Sequence, residues 1–131
     1  MNPNSFGFEE LEIWKKARTL KLEISATIKS FPSEEKYRLV DQLIRSSRSI
    51  GALISEGHGR FSYPDQIHFC VQARGSLSET ISHLIDAMDA NYISEIILED
   101  YRTKFKELER MLKGYINYLR SKKDLKSSKV A

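Results

Sequence analysis

The chain has 131 residues, with 21 Lys and Arg against 18 Asp and Glu, for a net charge of +3. That length suits one domain around one core, and 40% hydrophobic with 30% charged residues suits a globular chain. No apolar run approaches the roughly 20 residues that a bilayer span needs. Met1 to Phe8 lacks a basic-then-apolar leader, and the single cysteine, Cys70, cannot close an internal disulfide, so a reducing cytoplasmic setting is expected and no membrane partner.

Six glycines and three prolines leave few turns, which favours long helices over short strands. After an N-terminal segment, residues 1–7, the first helix is expected at about 8–30. Ile13, Ala17, Leu20, Ile24, Ile28 and Phe31 recur at steps of three and four and make one apolar stripe, with Trp14 at its flank. Phe31-Pro32-Ser33 ends it, because proline pushes the preceding residue out of the helical region. Ser33 reads as the cap of a second helix at about 34–57, with Glu34 and Glu35 in its first turn. Tyr37, Val40, Leu43 or Ile44, Ser47, Ile50 or Gly51, and Ile54 form its stripe. Ser46, Ser47, Gly51 and Ala52 are small enough for close helix contact, and Gly57 and Gly59 suit a left-handed stop.

Ser62-Tyr63-Pro64-Asp65 reads as a capping box opening a third helix at about 62–90. Its stripe is Ile67, Cys70, Ala73, Leu77, Ile81 or Thr80, Leu84 and Met88. An interior glycine costs about 1 kcal/mol relative to alanine, so Gly75 is expected to mark a close crossing with a neighbouring helix. Asn91-Tyr92-Ile93 is the third break. A fourth helix at about 94–122 carries Leu98, Tyr101, Phe105, Leu108, Leu112, Tyr115 and Leu119, a seam of coiled-coil spacing, widened by Ile96, Ile97, Met111, Ile116 and Tyr118. Residues 8–123 thus read as an all-α, antiparallel up-down-up-down four-helix bundle, followed by a flexible basic tail, 124–131.

Catalytic constellations are thin. His68 and His83 are fifteen residues apart, far from the i, i+4 spacing of a helical metal pair, and His58 sits in a glycine-rich helix end. Gly57-x-Gly-Arg60 lacks the lysine and hydroxyl of a phosphate-binding loop and closes a helix. Cys70 belongs to the core stripe. No enzyme, metal or cofactor is expected. Glu56 and Glu79 read as ion-pair partners of Arg45, Arg60 or Arg74.

The basic residues carry the functional expectation. Residues 94–123 hold eight cations and five acids, whereas 62–93 hold one cation and four acids. Arg45 and Arg48 lie three apart on the second helix, Arg60 ends it, and Arg74 lies within the third. Arg102, Lys106, Arg110 and Lys113 step by four, four and three along the fourth helix, and Arg120 extends them. Long cationic side chains in register suit phosphate oxygens, and these nine residues are the candidate nucleic-acid contacts. Arg102, Lys106 and Arg110 could instead satisfy Glu99, Glu107 and Glu109 within the helix. A contrasting expectation is a docking surface for another polypeptide, with Phe61, Tyr63 and Tyr118 as its apolar patch.

Five stretches carry a family resemblance. They are Glu10 to Ala17, Phe31 to Tyr37, Ser49 to Arg60, Phe69 to Glu79, and Leu108 to Leu119 with its Met-Leu-Lys-Gly run. Together they resemble the four-helix-bundle family of the 23S rRNA intervening-sequence proteins, over about residues 8–120, a fold group shared with the accessory variability determinant of diversity-generating retroelements. The chain departs from the usual pattern at Arg38, Arg48, Leu53 and His58. The resemblance implies a homopentameric ring of bundles that binds structured RNA or DNA through basic faces and, in the retroelement branch, contact with a reverse transcriptase.

Overall fold

Buried positions recur every three or four residues along four helices, and those stripes dictate how the helices meet. In a computed structural model that describes residues 2–130, with side chains through residue 125, the helices are α1 (Glu12–Thr27), α2 (Leu39–His58), α3 (Tyr63–Asp89) and α4 (Glu95–Val130). Short 3-10 turns at Gly7–Glu10, Ile28–Ser30 and Ser33–Glu35 complete the order, and no strand occurs among the described residues. Leu20, Ile24, Leu43, Ile50, Ile54, Leu84, Leu98, Phe105, Leu108 and Leu112 are each fully buried, so all four helices feed one core. That core is the free-energy source of the fold, since each such side chain contributes about 1.5–3 kcal/mol by leaving water.

Cross-helix pairs give the directions. Between α2 and α3, Ser46 meets Thr80, Ser49 meets Ser76, and Gly57 meets Phe69, so the numbers run oppositely. Between α1 and α4, Tyr101 and Thr27 share a hydrogen bond of 2.5 Å, and Lys104 donates to Glu23 at 2.8 Å, again antiparallel. Neighbours in the chain are neighbours in space, and α1 closes the bundle against α4. The topology is up-down-up-down, as the four stripes imply.

Several local expectations are corrected. The second helix begins at Leu39, not 34. Ser33–Glu35 is a 3-10 turn whose residue before it is Pro32, and the Ser33 side chain caps nothing. This turn lets Phe31 and Leu39 both reach the core and leaves Tyr37, assigned above to the apolar stripe, 84% exposed. Phe31 instead packs on Tyr92, with ring centroids 5.3 Å apart. Gly57 and Gly59 are not left-handed, and Asn91, at φ 64°, is the residue of positive φ among those described. It ends α3 in a Schellman motif: the Tyr92 N–H donates to the Ala87 carbonyl and the Asn91 N–H to that of Met88, each at 2.9 Å. Gly75 faces no helix, since a Cβ built on it meets nothing within 4 Å. Ile96 and Ile97 lie on the outer side of α4, 83% and 42% exposed. The backbone of α4 runs to Val130, past the expected end at 122.

Ser62 does cap α3, its hydroxyl accepting from the Asp65 N–H at 3.2 Å, with Pro64 in the first turn where it removes no needed donor. The polar seam of Ser46 and Thr80 is buried and satisfied, the two hydroxyls sharing a hydrogen bond at 2.9 Å. Small hydroxyl residues thus let α2 and α3 approach closely without orphaning a polar group.

Cys70 is 1% exposed beneath Ile116 and Leu119. Burial pushes its thiol up to about 11, from 9.0. Folding therefore disfavours the thiolate: its contribution to stability is complete below pH about 9 and declines as pH rises toward 11. Native protein at pH 8 is expected to resist iodoacetamide, whereas protein in denaturant should be alkylated. Rapid native alkylation would show that this end of the core opens.

Candidate nucleic-acid interface

The nine candidate cations occupy three regions of the surface. Arg45 and Arg48 stand on the outer side of α2, both exposed. Arg60 lies just past the end of α2, where it pairs with Glu56 at 2.9 Å and stacks over Phe69 at 4.6 Å. The remaining six follow α3 and α4. Arg74 approaches Glu109 at 3.9 Å across these helices. Arg102 pairs with Glu99, and Arg110 with Glu107 at 2.5 Å. The Arg110 hydrogen bond holds the Glu107 carboxyl below its ordinary range, and Glu107 raises the guanidinium in return.

Local pairing therefore claims Arg60, Arg74, Arg102 and Arg110. Arg45, Arg48, Lys106, Lys113 and Arg120 form no ion pair among the described residues. Lys106, Lys113 and Arg120 are spaced by seven, so they share one strip of α4, about 10.5 Å apart along its axis. All three are exposed. Lys106 also lines a groove between α3 and α4 of about 250 Å³, floored by Leu77, Ile81 and Phe105. Exposed ion pairs stabilise by only about 0–1 kcal/mol, so the paired arginines remain able to exchange a glutamate for a stronger anion.

Two cations that the sequence reasoning passed over complete the basic surface. Arg18 and Lys21 on α1 line a second groove, of about 210 Å³, together with Arg48 of α2. Their three-residue spacing beside Ala17 was a signal, but spacing does not say which flank of α1 meets α2. Lys104 illustrates the opposite case: it joins Glu23 and Asp100, each at 2.8 Å, and these hydrogen bonds raise its pKa, so this lysine is a strut between α1 and α4.

Of the two acids expected to pair with arginines, Glu56 does so with Arg60, within one helix end, and Glu79 does not. Glu79 contacts His83 at 3.4 Å, not an arginine. His68 lies 2.9 Å from the Gln72 amide, and the Gly7 backbone packs against His58. No group of three His, Cys, Asp or Glu is placed to hold a metal among the described residues, and none of the described helices is long and apolar enough to cross a membrane. Phe61 is fully exposed at the α2–α3 turn and Tyr118 is half-exposed on α4, whereas Tyr63 packs on the Cys70 cluster.

Fold and surface together define a small all-α bundle with cationic flanks and an acid-rich third helix. Residues 9–114 match the family of 23S rRNA-intervening sequence proteins, and the chain belongs to that family. A crystal structure from Bacteroides thetaiotaomicron, described as a protein with unknown function from the S23 ribosomal protein family, superposes with a TM-score of 0.72. It is 26% identical over 79% of this chain and 97% of its own. No curated protein matches the chain. No enzymatic family is indicated by either similarity.

Proposed function

We propose that this protein is a non-enzymatic, oligomeric scaffold that binds structured RNA or DNA through its basic helix faces. The observation that carries this reading is the strip of Lys106, Lys113 and Arg120, three exposed cations with no ion pair among the described residues, on one side of α4. Unpaired cations in a row release counterions from a phosphate backbone on contact, and that release is the main source of sequence-independent affinity. One chain of net charge +3 is a weak polyanion ligand. A homopentameric ring, which family resemblance supports, would carry about +15 and add its contacts through effective concentration.

The test is fluorescence anisotropy of a labelled RNA hairpin across a salt series, with the mass in solution measured in parallel. Binding near 50 mM salt is expected to weaken by roughly three orders of magnitude by 200 mM, and Lys106→Gln with Lys113→Gln and Arg120→Gln should flatten that dependence by about two to three in log–log slope. A salt-independent signal, or none at the low-salt end, would sink the reading, and a clean monomer would remove the ring.

The fully exposed Phe61 favours a second reading, a docking module for a polypeptide such as a reverse transcriptase. Under it, a copurifying polypeptide survives nuclease treatment and is released by Phe61→Ser.

A further inference from the structure

The groove between α1 and α2 differs in chemistry from three other grooves among the described residues. Those at the N-terminal turn, between α1 and α4, and between α3 and α4 each include at least one glutamate in their walls. The α1–α2 groove includes none: its charged residues are Arg18 and Lys21 from α1 and Arg48 from α2. None of the three forms an ion pair among the described residues. The Arg18 guanidinium is held over the Trp14 ring, 5.8 Å from its centroid. The Trp14 indole nitrogen edges the same space, 3.6 Å from where a Cβ on Gly51 would stand. Gly51 therefore keeps the floor low, and an indole N–H adds a fourth donor with no protein acceptor among the described hydrogen bonds. The Ser47 hydroxyl already donates to the Ile44 carbonyl at 3.3 Å.

A groove of about 210 Å³ whose charged and ring groups are all donors selects a ligand rich in acceptors and negatively charged. Guanidinium and ammonium groups on two facing walls suit a chain of phosphates lying between them, because each wall can hold a different phosphate oxygen. We propose that this groove seats the sugar–phosphate backbone of the nucleic acid, with Arg18, Lys21 and Arg48 as the phosphate contacts and Trp14 at the edge of the occupied space. The assignment rests on the function proposed above, but it places contact on the α1–α2 face, away from the Lys106 strip. It also gives Arg48 a defined partner set and separates it from Arg45, which does not line this groove.

The chain holds one tryptophan, so its emission comes from Trp14, which lines this groove and borders the N-terminal one; the charge variants assign the response to this groove. The experiment titrates a labelled RNA hairpin into the intact protein and reads anisotropy and Trp14 emission together. Arg18→Gln/Lys21→Gln/Arg48→Gln is compared with Lys29→Gln/Lys36→Gln/Arg38→Gln, which removes equal charge from exposed positions elsewhere. Circular dichroism confirms that both remain helical. The expected result is a saturable change in Trp14 emission with the midpoint of the anisotropy curve. Affinity should fall at least about tenfold in the groove variant, with a salt slope about two to three shallower, and less than about threefold in the control. Hairpin binding that leaves Trp14 emission unchanged, with both variants equally affected, overturns the groove and spares the scaffold reading. No hairpin binding by the parent protein overturns both. A Trp14 response to inorganic phosphate or a mononucleotide, absent with the hairpin, would make this a small-anion pocket and overturn the backbone assignment.

Discussion

Replacing Phe105 with alanine is expected to lower the unfolding free energy by about 3–5 kcal/mol, and with it the melting temperature by roughly 10–20 °C. Phe105 is 1% exposed and is the largest of the fully buried side chains. Its ring lies 6.3 Å from that of Tyr101, centre to centre, and forms the floor of the α3–α4 groove with Leu77 and Ile81. Truncation therefore removes the transfer free energy of a whole ring and opens a void at the joint between two helices. Tyr101 is itself anchored by its hydrogen bond to Thr27, so it cannot swing across to fill the gap. Phe105→Leu keeps most of the volume and should cost much less, about 1–2 kcal/mol. Thermal and urea unfolding of both variants is the check. Equal losses for Leu and Ala would show that the ring's shape, not its burial, matters. A loss below about 1 kcal/mol for Ala would show that the α3–α4 groove collapses onto the vacancy.

The seam that contains Phe105 was legible because its signal is strong and one-sided. Leu98, Tyr101, Phe105, Leu108, Leu112 and Leu119 are all buried, and their spacing alone selects a helical face. What spacing conveys poorly is where an apolar face ends. Ile96 and Ile97 belong to the seam by composition but lie on the solvent side of the first turn of α4, whose core side is taken by the buried Leu98. Tyr37 fails for a related reason. Its place in the stripe assumed a helix already running at residue 34, whereas a 3-10 turn there rotates the register before Leu39 enters the core. Helix termini are decided by what tertiary contacts must reach, here Phe31 and Leu39, and those partners are distant in sequence.

The candidate interface was partly legible. The sequence supplies all nine cations, but charge state in a folded chain depends on which carboxylate is near. The spacing of Glu99 with Arg102 and of Glu107 with Arg110 is i, i+3, and the structure realises both pairs. Lys106, between them, is left out and so becomes the more available phosphate contact. Arg74 shows the limit, because Glu109 approaches it only through the packing of α3 on α4. The α1–α2 groove was not legible: Arg18, Lys21 and Arg48 come from two helices whose facing flanks are known only once the bundle has closed.

Gly57→Val is the second large effect, with an expected loss of about 2–4 kcal/mol. A Cβ at residue 57 would stand 2.8 Å from the Phe69 Cβ and 3.3 Å from the Gln66 carbonyl oxygen. Neither atom is the free end of a flexible side chain, so relief requires α2 and α3 to move apart where they cross. Two effects compete even in the milder Gly57→Ala. Alanine gains up to about 1 kcal/mol in helix propensity, less near a helix end, while overpacking costs about 1–3 kcal/mol. The clash outweighs the propensity gain, so Ala should also destabilise, by about 1 kcal/mol. Gly75 supplies the contrast within α3: with nothing within 4 Å of its built Cβ, Gly75→Ala keeps the propensity gain and should stabilise by about 0.5–1 kcal/mol. Opposite signs for the two alanine variants in the same unfolding assay would separate a glycine required by a helix crossing from one that merely lies in a helix. Stabilisation by both would show that the end of α2 is free to lift from α3, and the close approach at Phe69 would then contribute nothing to holding the bundle together.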